Sequence, residues 1–552
     1  MKNTELRRRI NILADEMREA EMPPLTSELF GIFEKNGNRL EYENVYFLRR
    51  KFLAVYGISG ILNRRTEDIE KLEYVLLEIC GEKTWALPAH CNTVKRPDIE
   101  KEIDLFNSET AGALAEVIKE TGNLLKNDIV KKVKEEISKR VLRPFAYSRE
   151  KYDFEHAKHN WNAVCCGSIG TALINLGNEC LGEEMTVKTL NRINESLVTF
   201  VNSFPEDGAC LEGPGYFNYG VSFLTSYARR YCAYSKDTPE FLKIPKLAKV
   251  ASFPNGAFFE NGISVNFSDA TENERLHVGT LEGLQELLGA RYYIGEKVMA
   301  DFDTDPCYRF LPLLDDVKYG EDLKTEKISD EKRIIYLKDA QWLIAENGAG
   351  SGFAIKGGCN GEPHNHNDLG SYIYFSDDKV KACELGAGEY TADYFGEKRY
   401  AILCNDTRGH SLPLINGKGQ KTGGEIRVKS FEVTEDEKNV IVKIDLTDCY
   451  EDAGCVQRTA VFDLNGGSLE IEDRIETDGE TADRIISKSD ISGNIELLSD
   501  DPVMEKKTEI FNDHEGIKEK IYIFELKEKK DGDSKERDNR KRLHCYSYRL
   551  HS

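Results

Sequence analysis

The hydrophobic period changes once along this chain, and that change limits the fold more than any single motif does. Over the first 250 or so residues the apolar positions recur every three to four residues. Leu125, Ile129, Val130, Val133, Ile137 and Val141 form one stripe, with Pro144 predicted to close the segment. Leu190, Ile193, Leu197, Val201 and Phe204 form another, ended by Pro205. Similar stripes run through Val45–Val55, Ile69–Ile79, Val164–Leu176 and Val221–Tyr231. From about residue 330 the period is two. Ile334–Leu337, Trp342–Glu346, Tyr372–Phe375, Glu425–Val433, Val440–Leu446, Thr459–Leu464 and Leu469–Ile475 read as strands punctuated by Gly, Asn and Asp. In between, Phe253-Pro254-Asn255-Gly256 and Glu260-Asn261-Gly262 are turn signals around the short apolar run Ile263–Phe267, and Thr280–Leu288 is helical in pattern. Helices joined by short loops, then many short strands, predict a multidomain α+β chain. Residues 1–325 form a helical bundle or toroid and residues 326–552 an antiparallel β-sandwich. The length of 552 residues agrees, because it exceeds what one core fills.

Charge and cysteine usage narrow the function classes. Lys+Arg 75 against Asp+Glu 97 gives a net charge of −22, which argues against a nucleic-acid binder that needs a basic face to displace counterions. The same balance opposes a long polyanionic ligand unless the cleft is locally basic or the ligand short. Met1–Arg9 has no apolar stretch behind its charges, and no segment is long enough to span a bilayer, so neither a secretory signal nor a membrane partner is expected. The 14 Cys are scattered, with only Cys165-Cys166 adjacent, which predicts reduced thiols and a cytoplasmic location. The charged stretch Lys527–Arg542 reads as a solvated loop or flexible hairpin. Association into a homo-oligomer is left open.

Three local clusters bear chemistry. In Glu362-Pro363-His364-Asn365-His366-Asn367-Asp368-Leu369-Gly370-Ser371, two of only ten His lie two apart just before a strand, where side chains two apart share a face. Asp207–Gly220 presents Glu212, Tyr216, Asn218 and Tyr219 from a Gly- and Pro-rich helix start, which suits hydrogen bonding and stacking on a sugar. An ordinary turn with packed Tyr is the alternative. In His159–Gly167, Trp161 suits ring stacking and Asn160 or Asn162 suits holding a carboxylate; core packing and helix capping are the alternative.

Together these stretches resemble the heparinase II/III family of polysaccharide lyases. The segments NWNAVCCG, EGPGYFNYG and PHNHNDLGSYI stand in the family's order, as do Glu384–Tyr390 and Asn405–Gly417. The similarity spans about residues 85 to 480 and is specific to the superfamily, not to a substrate. It implies an (α/α) toroid joined to a β-sandwich, and cleavage of an acidic, uronate-containing oligosaccharide or polysaccharide, glycosaminoglycan or heparin-like, by β-elimination. It also implies catalytic roles for Tyr216 and His364, which share the acid and base work, and for Asn162 or Asn160, which would stabilise the developing enolate. Glu212, Trp161, Tyr219 and Tyr390 are the further candidates for substrate contact; His90 fits the family's pattern, although a helix-terminal role is the favoured reading for it. A phenol is a weak base at its ordinary pKa, so a neighbour is expected to lower that of Tyr216, with Arg399 a candidate by type. Tyr390, Tyr394 and Tyr400 would reach the site from the sandwich, with packing in the sheet as the alternative for each.

The resemblance also implies a structural Zn²⁺ bound by His366, Glu384 and His410, bracing the loop that presents His364. The family carries Asp where this chain has Glu384; the alternative is a metal-free Glu384–His410 pair. His156, His159, His277, His514, His544 and His551 are assigned no role. Two rival classes are a glycoside hydrolase on a similar toroid, which needs paired carboxylates such as Glu212 with Asp153, Asp207 or Asp269, and a non-catalytic carbohydrate-binding relative.

Overall fold

The computed structural model describes residues 2–91, 98–326, 331–499, 502–528 and 542–552. The change of period is a change of architecture. Helices run from Lys2–Glu16 to Phe310–Tyr319, and the strands begin at Arg333–Leu337. Each predicted stripe lies in a helix: Leu40–Leu62, Thr66–Cys80, Asn127–Ile137, Asn160–Leu181, Glu183–Ser203 and Pro214–Ser235. The stripe at 125–141 does not stop at its proline. A π-turn over Ser138–Leu142 leads into Arg143–Ala146, with Pro144 in the first turn, where no backbone N–H is needed. Ile263–Phe267 makes only an isolated bridge, Phe258 to Ser264. Among the described residues no helix is long and apolar enough to cross a membrane.

The β half is antiparallel. Its first sheet, Arg333–Leu337, Trp342–Glu346, Ser351–Lys356, Tyr372–Ser376 and Lys379–Ala382, is a five-stranded meander. Its three central strands are buried on both faces. Trp342, Ile344, Ala354, Ile373 and Phe375 join the helical core, whereas Leu343, Ala345, Phe353, Ile355, Tyr372 and Tyr374 pack into the sandwich. The predicted boundary at 325/326 thus separates helices from strands but does not divide the hydrophobic core. A six-stranded sheet supplies Val440, Val442, Ala460 and Ile471 to the opposing face. A four-stranded sheet, with Thr481–Ser487, Pro502–Asn512 and Lys518–Glu528, packs Ile486, Ile521 and Ile523 against Leu385 and Tyr394.

The predicted strand at Glu425–Val433 starts only at Ser430. Residues before it brace a loop instead: the Asn360 N–H donates to the Ile426 carbonyl (2.8 Å) and the Val428 N–H to that of Gly358 (3.2 Å). That loop carries the two histidines of the HNH cluster. The interior of the charged Lys527–Arg542 stretch, 529–541, lies outside the described residues; its ends belong to the strands Lys518–Glu528 and Arg542–Leu550.

Candidate active site

Two glycines fix where the halves meet. Gly213 (φ 92°) turns the chain into the helix Pro214–Ser235, and a Cβ there would lie 2.8 Å from the Ala270 Cβ. Gly386 (φ 70°), from the β half, would put a Cβ 2.2 Å from the Ala270 carbonyl oxygen. Ala270 is therefore clamped between the two turns EGPG and ELGAG, and only glycine fits at either jaw. The clamp presents its neighbour, Asp269, to the interface. The preceding Ser268 adopts φ 61°, a costly conformation for a side-chain-bearing residue.

Asp269 is the hub of the site. Its carboxylate, fully buried, accepts from His364 Nδ1 (2.7 Å), His366 Nε2 (2.8 Å), the Tyr390 hydroxyl (2.9 Å) and the Tyr394 hydroxyl. Burial pushes this carboxyl up, but the two imidazoles outweigh burial and hold it well below the usual range. An ionised carboxylate only accepts, so each imidazole turns an N–H toward it. The lone pairs of His364 Nε2 and His366 Nδ1 consequently face elsewhere.

The imidazole of His364, on a loop residue with φ 55°, stacks on the Tyr216 ring at 4.2 Å between centroids and 23° between planes. A phenol from the helical half and an imidazole from the β half thus form one face, as the sequence resemblance implies. The Tyr216 hydroxyl bonds that of Tyr390 at 2.7 Å. Its pKa is not lowered, contrary to expectation: burial, then the nearby Asp269 charge, push it far up. Arg399 does not act on this phenol either. Its guanidinium donates to the carbonyls of Tyr394 (3.0 Å) and Asn365 (2.8 Å) and lies over the Tyr394 ring, tying the His364 loop to the segment at 394–399. Tyr400 adds a bond to Asn365 Oδ1 (3.2 Å).

Glu212 lies on the other side of His364, its Oε2 3.6 Å from Nε2. That oxygen is buried without a hydrogen-bond partner, while the Asn160 N–H donates to the carboxylate. Burial pushes the Glu212 carboxyl up to about 7. Asn160 itself is buried, and Trp161 beside it meets the His90 ring edge-on at 4.9 Å. His90 is held by Asp104 at 2.8 Å. The Tyr219 hydroxyl donates to Glu109, and Arg309 covers the Tyr219 ring at 3.7 Å. Asn162 needs correction as a catalytic candidate. It is fully buried, and its amide donates to the backbone carbonyls of Glu155 (3.1 Å) and Ala157 (3.2 Å), closing the short helix Asp153–His156. Its position two residues after Asn160 places it inside the helix bundle, not at the pair.

The residues predicted to hold a metal converge. His366, Glu384 and His410, joined by Asp368, are all buried and offer ligand atoms within 4.8 Å of one another. The donor set fits a cation. His366 Nδ1 is buried, unpartnered and presents a lone pair. His410 Nε2 faces the Cys404 carbonyl at 2.9 Å and so bears the proton in the neutral ring, leaving Nδ1 to face Glu384 Oε2 at 2.6 Å. Lys356, also buried, takes part of the negative charge through Asp368 at 2.9 Å. Asp368 was absent from the predicted ligand set, although it stands two residues after His366.

Sequence reading missed three further neighbours. Asp269 enters the sequence reading only as one of three acids that could partner Glu212 in a hydrolase, not as the residue that orients His364. His159 is close enough that the His364 charge, after burial, lowers its pKa. His514 meets the Tyr390 ring edge-on at 4.3 Å.

No family model matches the chain, and no curated protein matches it. Solved structures do. Heparinase III is similar over 92% of this chain and 76% of that one, with a TM-score of 0.60 and 12% identity. A heparan sulfate lyase mutant, HepC from Pedobacter heparinus, is similar over 98% and 82%, with a TM-score of 0.56 and 12% identity. A chondroitin AC lyase from Streptomyces coelicolor A3 is similar over 100% and 82%, with a TM-score of 0.50 and 9% identity. At such identities the likeness is one of architecture, and in architecture this chain is a heparinase-type toroid joined to a β-sandwich.

Proposed function

We propose that this chain is a polysaccharide lyase that cuts uronate-containing glycans or oligosaccharides of the glycosaminoglycan class by β-elimination. The observation that supports it most is the Tyr216–His364 pair, stacked across the junction of the halves with the imidazole oriented by Asp269. With Nδ1–H held by Asp269, His364 Nε2 is the base that takes the C5 proton. The electron pair of that C–H bond becomes the C4=C5 double bond, and the C4–O4 pair leaves with O4. Tyr216, whose phenol keeps its proton, donates it to the departing oxygen; once product leaves, the proton that His364 took from C5 is lost to solvent and solvent restores the one on the phenol. The fold shared with three polysaccharide lyases agrees with this reading. A hydrolase needs two available carboxylates, and the Asp269 oxygens already accept four hydrogen bonds. The test is chemical: uronate polymers and oligomers should yield unsaturated ends with new ultraviolet absorbance, whereas hydrolytic products without it would refute the reading.

Glu212 takes the role that the resemblance implies for Asn162 or Asn160. Its carboxyl, pushed up to about 7, remains a proton donor into the neutral range and can bond the uronate carboxylate as negative charge builds on it. Activity should therefore fall as pH rises through about 7, as this donor is lost. Glu212→Gln keeps a donor at every pH and should remove that alkaline limb; Glu212→Ala should lose roughly 10²-fold in kcat. Identical pH profiles for wild type and Glu212→Gln would take Glu212 out of the reaction.

The buried His366, Asp368, Glu384 and His410 are proposed to hold one Zn²⁺. Bound there, the ion supplies an anchor for the loop ahead of it and takes no part in proton transfer. Metal analysis should find about one zinc per chain in wild type and little in His410→Ala. Removing an ion present at about a thousand times its Kd should cost on the order of 4 kcal/mol of stability. A metal-free wild type with the same melting temperature before and after chelation would contradict the assignment.

A further inference from the structure

The site residues form a file of successive contacts, and the two halves of the molecule meet across one end of it. His514 meets Tyr390 (4.3 Å), Tyr390 bonds Tyr216 (2.7 Å), and Tyr216 stacks on His364 (4.2 Å). His364 approaches Glu212 (3.6 Å), the Glu212 carboxylate takes the Asn160 N–H, and Trp161 next to Asn160 meets His90 (4.9 Å). Beyond Tyr390 the two halves of the chain touch. Gly37 lies so close to the β half that a Cβ on it would be 2.9 Å from the Ala392 Cβ. Gly516, at the tip of the hairpin formed by Pro502–Asn512 and Lys518–Glu528, would place a Cβ 3.1 Å from Leu40 Cδ1. The tip is fastened to the same wall. Asp513 bridges to Gly388, and Asn512 Nδ2 donates to Glu389 Oε2 at 3.0 Å. Arg39, between Gly37 and Leu40, is near enough for its charge to act on the Tyr216 phenol. At the Trp161–His90 end, in contrast, the described neighbours of His90, namely Asp104, Phe106 and Trp161, all come from the helical half.

From this closure the geometry points to a lyase that works from a chain end. The 37–40 segment and the 513–516 tip block the file one residue past the catalytic pair's own partner, Tyr390. A sugar chain can enter from the Trp161 end and place its terminal units at Tyr216 and His364, but it cannot run through. The substrate class is therefore the end of a uronate chain, with short oligosaccharides served as well as polymers. This eases the conflict between a net charge of −22 and a polyanionic substrate, since a short chain brings few charges to an acidic protein.

This inference rests on the lyase reading, and its test separates the two. Desulfated heparan sulfate, hyaluronan and their size-fractionated oligosaccharides are digested with the full-length protein, and products are sized at the first time points by ultraviolet absorbance. Expected is one short unsaturated product from the outset, with polymer viscosity nearly unchanged while product accumulates. A ladder of intermediate unsaturated fragments with an early collapse of viscosity would overturn chain-end action and leave the lyase reading standing. No unsaturated product from any member would overturn both. In a second arm, cutting the Asp513–Gly516 tip back to a two-residue turn, or Leu40→Ala if that variant does not fold, should open the closed end. Intermediate fragments should then appear at several-fold higher yield than with wild type; an unchanged single product from a folded variant would refute the closure as its cause.

Discussion

Tyr216→Phe is expected to lower kcat by about 10²–10⁴-fold while leaving KM and the melting temperature close to wild type, because it removes one proton donor and keeps the stacked ring. His364→Ala should do at least as much damage, since it removes the base and opens the face on which the phenol lies. The double variant should be scarcely worse than either single one, as expected of groups that serve one transition state together. Initial rates of unsaturated product on a uronate oligosaccharide measure all three. Near-wild-type turnover in either single variant would defeat the assignment of the pair.

The second large effect is at Asp269. Asp269→Asn replaces an acceptor-only group by one that presents N–H₂ to at least one of four donors, so one imidazole must change tautomer or lose its bond. If His364 changes, its Nε2 carries the proton and can no longer accept one from C5; kcat should drop about 10²–10⁴-fold. Asp269→Ala should in addition destabilise the protein by about 3–5 kcal/mol, the usual result of removing one side of a buried ionic network. Thermal melts and initial rates together give the answer. The readout specific to orientation is kcat with KM little changed in Asp269→Asn; a variant that keeps wild-type kcat would show that the carboxylate only fills space.

The fold was readable because it rests on periodicity. The stripes at 190–204 and 221–231 are long enough to be unambiguous, and the alternation at 440–446 marks a sheet with one wet face. Ser351–Lys356 escaped notice because Ser351 and Gly352 continue the Gly-rich turn before them and leave too short an apolar run. Pro502–Asn512 escaped because it is an outer strand whose side chains are mostly exposed, and pairing with Lys518–Glu528 holds it in place. Thr481–Ser487 and Arg542–Leu550 are likewise fixed by their neighbours.

The site was readable where chemistry is concentrated in one short stretch, as in His364-Asn365-His366. It was unreadable where a residue acquires its role from a partner distant in sequence. Asp269 lies 95 residues from His364 and 125 from Tyr394, and no local pattern signals those bonds. Asn162 shows the converse error. A polar residue in a suggestive motif is given a catalytic role, although its amide N–H₂ group is spent on the two carbonyls that end a nearby helix.

The alanine held between Gly213 and Gly386 also orders events in time. During synthesis the helical half emerges first, already bearing the phenol and the central carboxylate but none of the four groups that donate to it. Until residues 364–394 dock, that acid has nothing to orient and the phenol has no base beside it, so a half-made chain is chemically silent. Onset of turnover in a translation extract would then time the moment at which the two halves first engage, with no label added.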